Sequence, residues 1–375
     1  MLSDPQGYRA TAGSVLPGAL RTEGIEKREG FWKWGLLALC ALSLFTTLVV
    51  AADEFGLGGR PWFGWWDSNV AIVQPYTVAI ARPRPDGAAT RGGLRDGDRI
   101  DLRGQNLEAR IAILYQPMAT RPTTLTIDRR TSSRVVRVSG STVWEHATLW
   151  KLQPMVSRLG VNVWLTLCAL LIALLQWRRP DARVISLILL CTVGKMLDPS
   201  FVVVPSAPVA VLLLIVSRAC ATLALLLLVR LSSHFGARTE WRAVLEYVAY
   251  ATILFGFLAD AVVVVGLVTV RLDPLPYVQS LGAWRGYFDI LACLAVVLTA
   301  GAATSVTRNG RRQSSACLLL PLPLAFLTSA ALFTLPVFAN SWFETVAVIA
   351  VANTALLLGT VVVTYTLLSE RQLAS

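Results

Sequence analysis

The sequence predicts a membrane all-α helical bundle of about eight transmembrane helices, with a small α+β domain inserted after the first and held outside the cytoplasm. Three observations predict it: eight apolar runs of spanning length, basic residues gathered in alternate connections, and one stretch, residues 67–140, that changes to alternating polarity. The chain has 375 residues, 55% of them hydrophobic and 15% charged, with a mean hydropathy of +0.59. Such a chain cannot cover itself with polar groups, which excludes a soluble globule.

The first apolar run is 34–52, behind a tail, 1–33, in which Lys27, Arg28 and Lys33 stand just before the membrane. The tail is expected in the cytoplasm. A bundle of seven further spans fills 159–368, as runs at 159–177, 184–204, 207–231, 243–270, 286–306, 315–337 and 343–368. Residues 369–375 then form a cytoplasmic tail. Arg178, Arg179 and Arg183 follow the second run, Arg230, Arg238 and Arg242 the fourth, and Arg308, Arg311 and Arg312 the sixth. All three connections fall on the cytoplasmic side under this count. The outer connections carry Asp273, Pro274, Pro276 and Trp284, and then Asn340, Trp342 and Glu344. The third run is broken by Lys195, Asp198 and Pro199 and is expected to be short, kinked or partly re-entrant.

The net charge of +11 and a pI near 9.8 follow from these flanking arginines and lysines. The pattern marks topology and gives no sign of nucleic-acid binding. The six cysteines, Cys40, Cys168, Cys191, Cys220, Cys293 and Cys317, all lie in apolar runs and are expected to be packing residues rather than a disulfide framework.

Within 67–140, Thr77–Ala81 reads as a strand, 82–87 as a loop and 88–92 as a helical turn. In the stretch Gly93-Leu94-Arg95-Asp96-Gly97-Asp98-Arg99-Ile100, a leucine plugs the core, a glycine permits a tight turn, and an aspartate can hold turn amides before a strand. A helix is expected over 106–116 with Leu107, Ile111 and Leu114 on one face, followed by strands at 123–128 and 134–139.

The stretch Ala89 to Ile100 resembles the Ala-x-x-x-Gly-Leu-x-x-Gly-Asp-x-Ile signature of bacterial PDZ domains, and the order of elements around it fits that family. The resemblance implies a peptide-binding groove formed by Tyr76, Thr77, Val78, Ala79 and Ile80 on the strand side and by Leu107 and Ile111 on the helix side. There an extended peptide or protein segment would add a strand. Where the family carries a glycine between two apolar residues, this chain has Gln74-Pro75-Tyr76-Thr77-Val78, and the proline removes an amide. Ligand capture and intramolecular docking as a structural spacer both remain open.

Only two histidines occur, His146 and His234, and there is no zinc-protease motif, nucleophile elbow, phosphate-binding loop or metal-spaced cluster. No catalytic residue, metal or cofactor is assigned, and the chain is not expected to be an enzyme. Charges inside the apolar runs are costly unless paired or wet. Arg218 in the fourth run and Asp260 in the fifth are expected to meet as an intramembrane charged pair, while Asp289 and Lys195 lie nearer the outer boundary and Glu246 nearer the inner one.

One span, an outer PDZ-like domain and seven more spans resemble the membrane sensory half of peptide quorum-sensing histidine kinases. That resemblance implies a multi-pass protein of the bacterial cytoplasmic membrane with both termini inside. It also implies a receptor-like function in which an extracytoplasmic peptide or protein biases the bundle. After the last span come only Ser369 to Ser375, so a separate cytoplasmic kinase or response partner would carry the signal, or the chain is a fragment or diverged relative. The alternatives are a non-catalytic membrane scaffold or envelope assembly factor and, ranked last, a transporter using Arg218 and Asp260.

Overall fold

The computed structural model describes residues 18–54, 69–83, 85, 87–115, 118–119, 122–129, 132–138, 149–198, 203–204, 206–233, 240–276, 287, 289–299, 320–334 and 342–372. His146, His234, Cys317, Pro199, Trp284, Asn340, Arg238 and the basic connection at 308–312 fall outside these residues.

Helix α1 (Gly18–Glu54) precedes a sheet domain, and α4 (Leu149–Gln176), α5 (Pro180–Lys195), α6 (Ala207–Ser233) and α7 (Glu240–Thr269) follow it. Then come α8 (Asp289–Thr299), α9 (Pro321–Thr334) and α10 (Trp342–Gln372). Among the described residues, four segments are long and apolar enough to cross a membrane: Gly30–Ala52, Val156–Gln176, Ala207–Ser232 and Glu240–Thr269. The other four expected crossings coincide with α5, α8, α9 and α10. Among the described residues none of these reaches the roughly 20 apolar residues that a perpendicular span needs: α5 has 16 residues, α9 has 14, and the apolar parts of α8 and α10 are Asp289–Thr299 and Ala350–Tyr365. The broken third run is thus a short helix that stops at Lys195, before Asp198.

Helices adjacent in sequence pack on one another, α4 on α5, α5 on α6, α6 on α7 and α9 on α10, while α1 packs on α4 and α5 and α4 on α10 across long stretches of chain. Leu36, Leu165, Ile172, Ile188, Val229 and Leu367 are among the buried residues joining them. Where lipid surrounds the helices, polar contacts add specificity to this packing. Ser43 and Thr166 hydroxyls lie 3.0 Å apart, Trp164 Nε1 donates to Thr360 Oγ1 at 3.1 Å, and Asn353 Nδ2 donates to Ser157 Oγ at 3.1 Å. At the end of the bundle remote from the sheet, Lys33 lies over the Trp177 ring, Arg183 lies over Trp32, and Arg242 donates to the Ser232 carbonyl at 2.6 Å.

The sheet domain is a five-stranded antiparallel sheet of order β1-β2-β3-β5-β6: β1 (Asn69–Gln74), β2 (Thr77–Ala81), β3 (Arg99–Asp101), β5 (Thr123–Arg129) and β6 (Ser132–Val138). A short α2 (Ala88–Arg91) and α3 (Leu107–Tyr115) cover it. Alternation places Val78, Ile80, Leu125 and Ile127 in one core with Leu94, Ile100, Leu102 and Ile113. Strand β1 lies outside the expected elements, as does a two-residue parallel ladder between β4 (Met118–Ala119) and β7 (Val203–Val204) that ties the domain to the α5–α6 connection.

Two polar devices fix the domain's turns. The buried Gln105 amide donates to the Thr126 carbonyl at 2.8 Å and accepts from the Thr126 amide at 3.0 Å, which pins the turn before α3 to β5. Gly97, at φ +81°, turns the chain so that Asp98 Oδ2 accepts from the Arg95 amide at 2.7 Å, while Arg129 clamps both carboxylate oxygens at 2.7 and 2.6 Å. Burial works to raise the Asp98 carboxyl, but the bonds from Arg129 and the Arg95 amide outweigh it and hold the group below its ordinary range. This contribution is fully present above about pH 4 and fades as pH falls through the lowered folded-state value. Asp98→Ala is expected to speed hydrogen exchange at β3 and β5 amides roughly tenfold at neutral pH, with the gap to wild type closing in acid. Equal exchange at neutral pH would show that the clamp adds nothing.

Candidate functional site at the junction of sheet and helices

The site grows from the β1–β2 turn. Only Pro75 and Tyr76 connect the two strands, and Tyr76 adopts a left-handed conformation at φ 59°, uncommon for a residue with a Cβ. That conformation aims the Tyr76 amide away from the hairpin, where it donates to Asp273 Oδ2 at 3.0 Å, across 197 residues of sequence. The Tyr76 hydroxyl donates to the Arg271 carbonyl at 3.3 Å. Arg103 lies over the Tyr76 ring at 5.1 Å and is held by Asp101 at 3.0 Å, with Asp273 also within electrostatic range.

The partner segment leaves α7 through a second left-handed residue, Val270, at φ 57°. A β-branched residue there is a backbone outlier that its surroundings must impose. The chain folds back so closely that a Cβ on Gly266 would stand 3.0 Å from the Leu272 carbonyl oxygen and 3.3 Å from Pro274 Cβ. Asp273 Oδ1 accepts from the Leu275 amide at 3.0 Å, and Leu275, 1% exposed, enters the core of the sheet domain beside residues such as Val78 and Ala112. One carboxylate thus stitches the hairpin to the turn after α7, and one leucine plugs the domain.

Helix α3 forms the second half of the junction. Asn106 Oδ1 accepts from the Ala109 amide at 2.8 Å and caps its start. Its outward stripe, Leu107, Ile111 and Leu114, packs against Ala210 and Leu214 of α6 and Leu267 of α7. Tyr115 at its end lies within electrostatic range of Arg218.

Arg218 leads into the helices. Its Nη2 meets Asp198 Oδ2 at 2.8 Å, and its Nε lies 3.9 Å from Asp260 Oδ1. Ser217, one residue earlier, donates to the Lys195 carbonyl at 2.7 Å and satisfies an end group of α5. Asp289 is also within electrostatic range of Arg218. Two successive residues of α6 therefore hold the broken end of α5 and reach α7.

Of the residues expected to form a groove, Thr77, Val78, Ala79 and Ile80 lie on β2, which is paired with β1 on one side and β3 on the other. That edge is not open, so strand addition there requires displacement of β1; among the described residues the sheet's outer strands are β1 and β6. Tyr76 is engaged by Asp273, and Leu107 and Ile111 face α6 and α7. Arg218 and Asp260 are brought together, with Asp198 the nearer partner. Sequence reasoning overlooked Asp198, Asp273 and Leu275 as contact residues. The signal for the first was an acid directly after an apolar run that also held Lys195, and for the others an Asp-Pro-Leu turn where a plain loop was expected. No family model matches the chain, and no curated protein or solved structure does.

Proposed function

We propose that the chain is a receptor-like membrane module in which residues 67–140 act as a PDZ-like domain whose docking onto the bundle is the variable that carries a signal. The observation that supports it is the Tyr76–Asp273 stitch with Leu275 behind it. Two hydrogen bonds from Tyr76, to Asp273 and to the Arg271 carbonyl, and the Leu275 plug join the domain to the exit of α7, with left-handed backbone at Tyr76 and Val270 on either side of the contact. An extracytoplasmic peptide or protein that engages the hairpin would compete with that contact, and α7 and the Arg218 network would feel the change. A separate cytoplasmic partner would read the far end of the bundle. The scaffold reading is favoured by one observation, the pairing of both β2 edges, which leaves capture to β1 or β6.

The discriminating experiment places spin labels at exposed positions 178 and 241, at the end of the bundle remote from the sheet, in a cysteine-free full-length chain in lipid nanodiscs. Asp273→Ala, which removes the carboxylate from the Tyr76 amide and loosens the stitch, is expected to shift the distance distribution by several ångströms, on the scale of helix rearrangements in known switches. An unchanged distribution in a variant whose hairpin amides exchange faster would refute coupling and leave the domain as an anchor or scaffold.

A further inference from the structure

Among the described residues of the sheet domain, Arg110 is the one guanidinium whose burial has no counterpart in its bonding. It is 8% exposed, its Nη1 is fully buried without a hydrogen-bond partner, and its Nε reaches only the Asn106 carbonyl, at a marginal 3.5 Å. No carboxylate enters its electrostatic surroundings; desolvation alone acts on it and pushes its pKa down from the ordinary arginine value. Arginine does not neutralise itself by losing a proton at physiological pH, so a buried cation of this kind carries a penalty that an anion would remove.

Its position indicates which anion. On α3, Arg110 flanks the stripe of Leu107, Ile111 and Leu114 that rests on the start of α6 and the end of α7. Those are the sheet-side ends of helices long enough to cross a membrane. Helix α3 therefore rests where those two helices end, the level at which phospholipid headgroups lie when such helices cross a membrane. The planar guanidinium accepts a phosphate through two parallel N–H donors.

We propose that Arg110 forms an oxyanion site for the phosphate of an anionic phospholipid headgroup, wedged between the sheet domain and the outer ends of α6 and α7. The inference depends on the chain lying in a membrane and is independent of whether the domain signals.

The test uses the full-length chain in detergent, wild type against Arg110→Gln and Arg110→Met, read by native mass spectrometry and thermal unfolding. Wild type is expected to retain one more phosphatidylglycerol per chain than either variant, and added phosphatidylglycerol is expected to raise its Tm by a few degrees. In Arg110→Met, which removes the buried cation and keeps apolar volume, the lipid-free protein should be at least as stable as wild type and the lipid increment should vanish. Equal lipid retention in all three chains, or a lipid increment that survives in both variants, overturns the site. An increment reproduced by inorganic phosphate alone overturns the lipid as its source and leaves a site for free oxyanions.

Discussion

Arg218→Met is expected to lower the stability of the helical bundle by about 3 kcal/mol, the scale seen when one partner of a buried charge pair is removed. The arginine faces Asp198 at 2.8 Å and Asp260 at 3.9 Å, and both carboxylates are mostly buried. Methionine would fill the volume but leave two anions without their shared cation, where ionised groups are expensive. Arg218→Lys keeps the charge and loses the fork that reaches both acids, so it should fall between methionine and wild type. Asp198→Asn should cost more than Asp260→Asn, because the shorter contact carries the hydrogen bond. Denaturant unfolding of the chain in nanodiscs reads the series, and a methionine variant as stable as wild type would mean the network sets register without adding stability.

Leu275→Ala should cost about 3 kcal/mol at the sheet domain, in the range for a fully buried leucine. The location of the loss separates two descriptions of this residue. If Leu275 belongs to the domain's own core, hydrogen exchange should accelerate in β2, β3 and β5 together. If it only docks a finished domain, acceleration should stop at the β1–β2 hairpin and α3. The core description predicts that a fragment comprising residues 67–140 alone, which lacks the leucine, is less stable than the same domain in the full chain. Equal stability of the two would rule it out.

Much of this architecture was legible in advance, for identifiable reasons. Strand β2, the Gly97 turn, the Leu94 plug and the face of α3 each follow from local chemistry: alternation, a left-handed glycine, and a 3.6-residue stripe. Strand β1 was missed because Asn69–Gln74 has little alternation of its own and gains its pairing only from the hairpin. The run 184–204 carried its own break in Lys195, Asp198 and Pro199, and its helix ends at Lys195. The junction was illegible for a different reason. Leu107, Ile111 and Leu114 announce an apolar face, but whether a free peptide or the protein's own helices cover it depends on contacts between distant segments. The Tyr76–Asp273 bond joins a hairpin near the start of the chain to a turn after α7, and no local pattern encodes that.

The same separation has a consequence for biosynthesis. A chain emerges from the ribosome in order, and domains usually fold as soon as they are complete. Here the sheet domain would be made long before Asp273 and Leu275, and its β4 strand would wait for Val203–Val204. Until the segment after α7 has been made, the nascent domain would present an unfilled apolar site and an unsatisfied Tyr76 amide to its surroundings. Such an interval is one in which folding helpers and proteases compete for the chain. Truncations that stop short of residue 275 would lengthen it without limit.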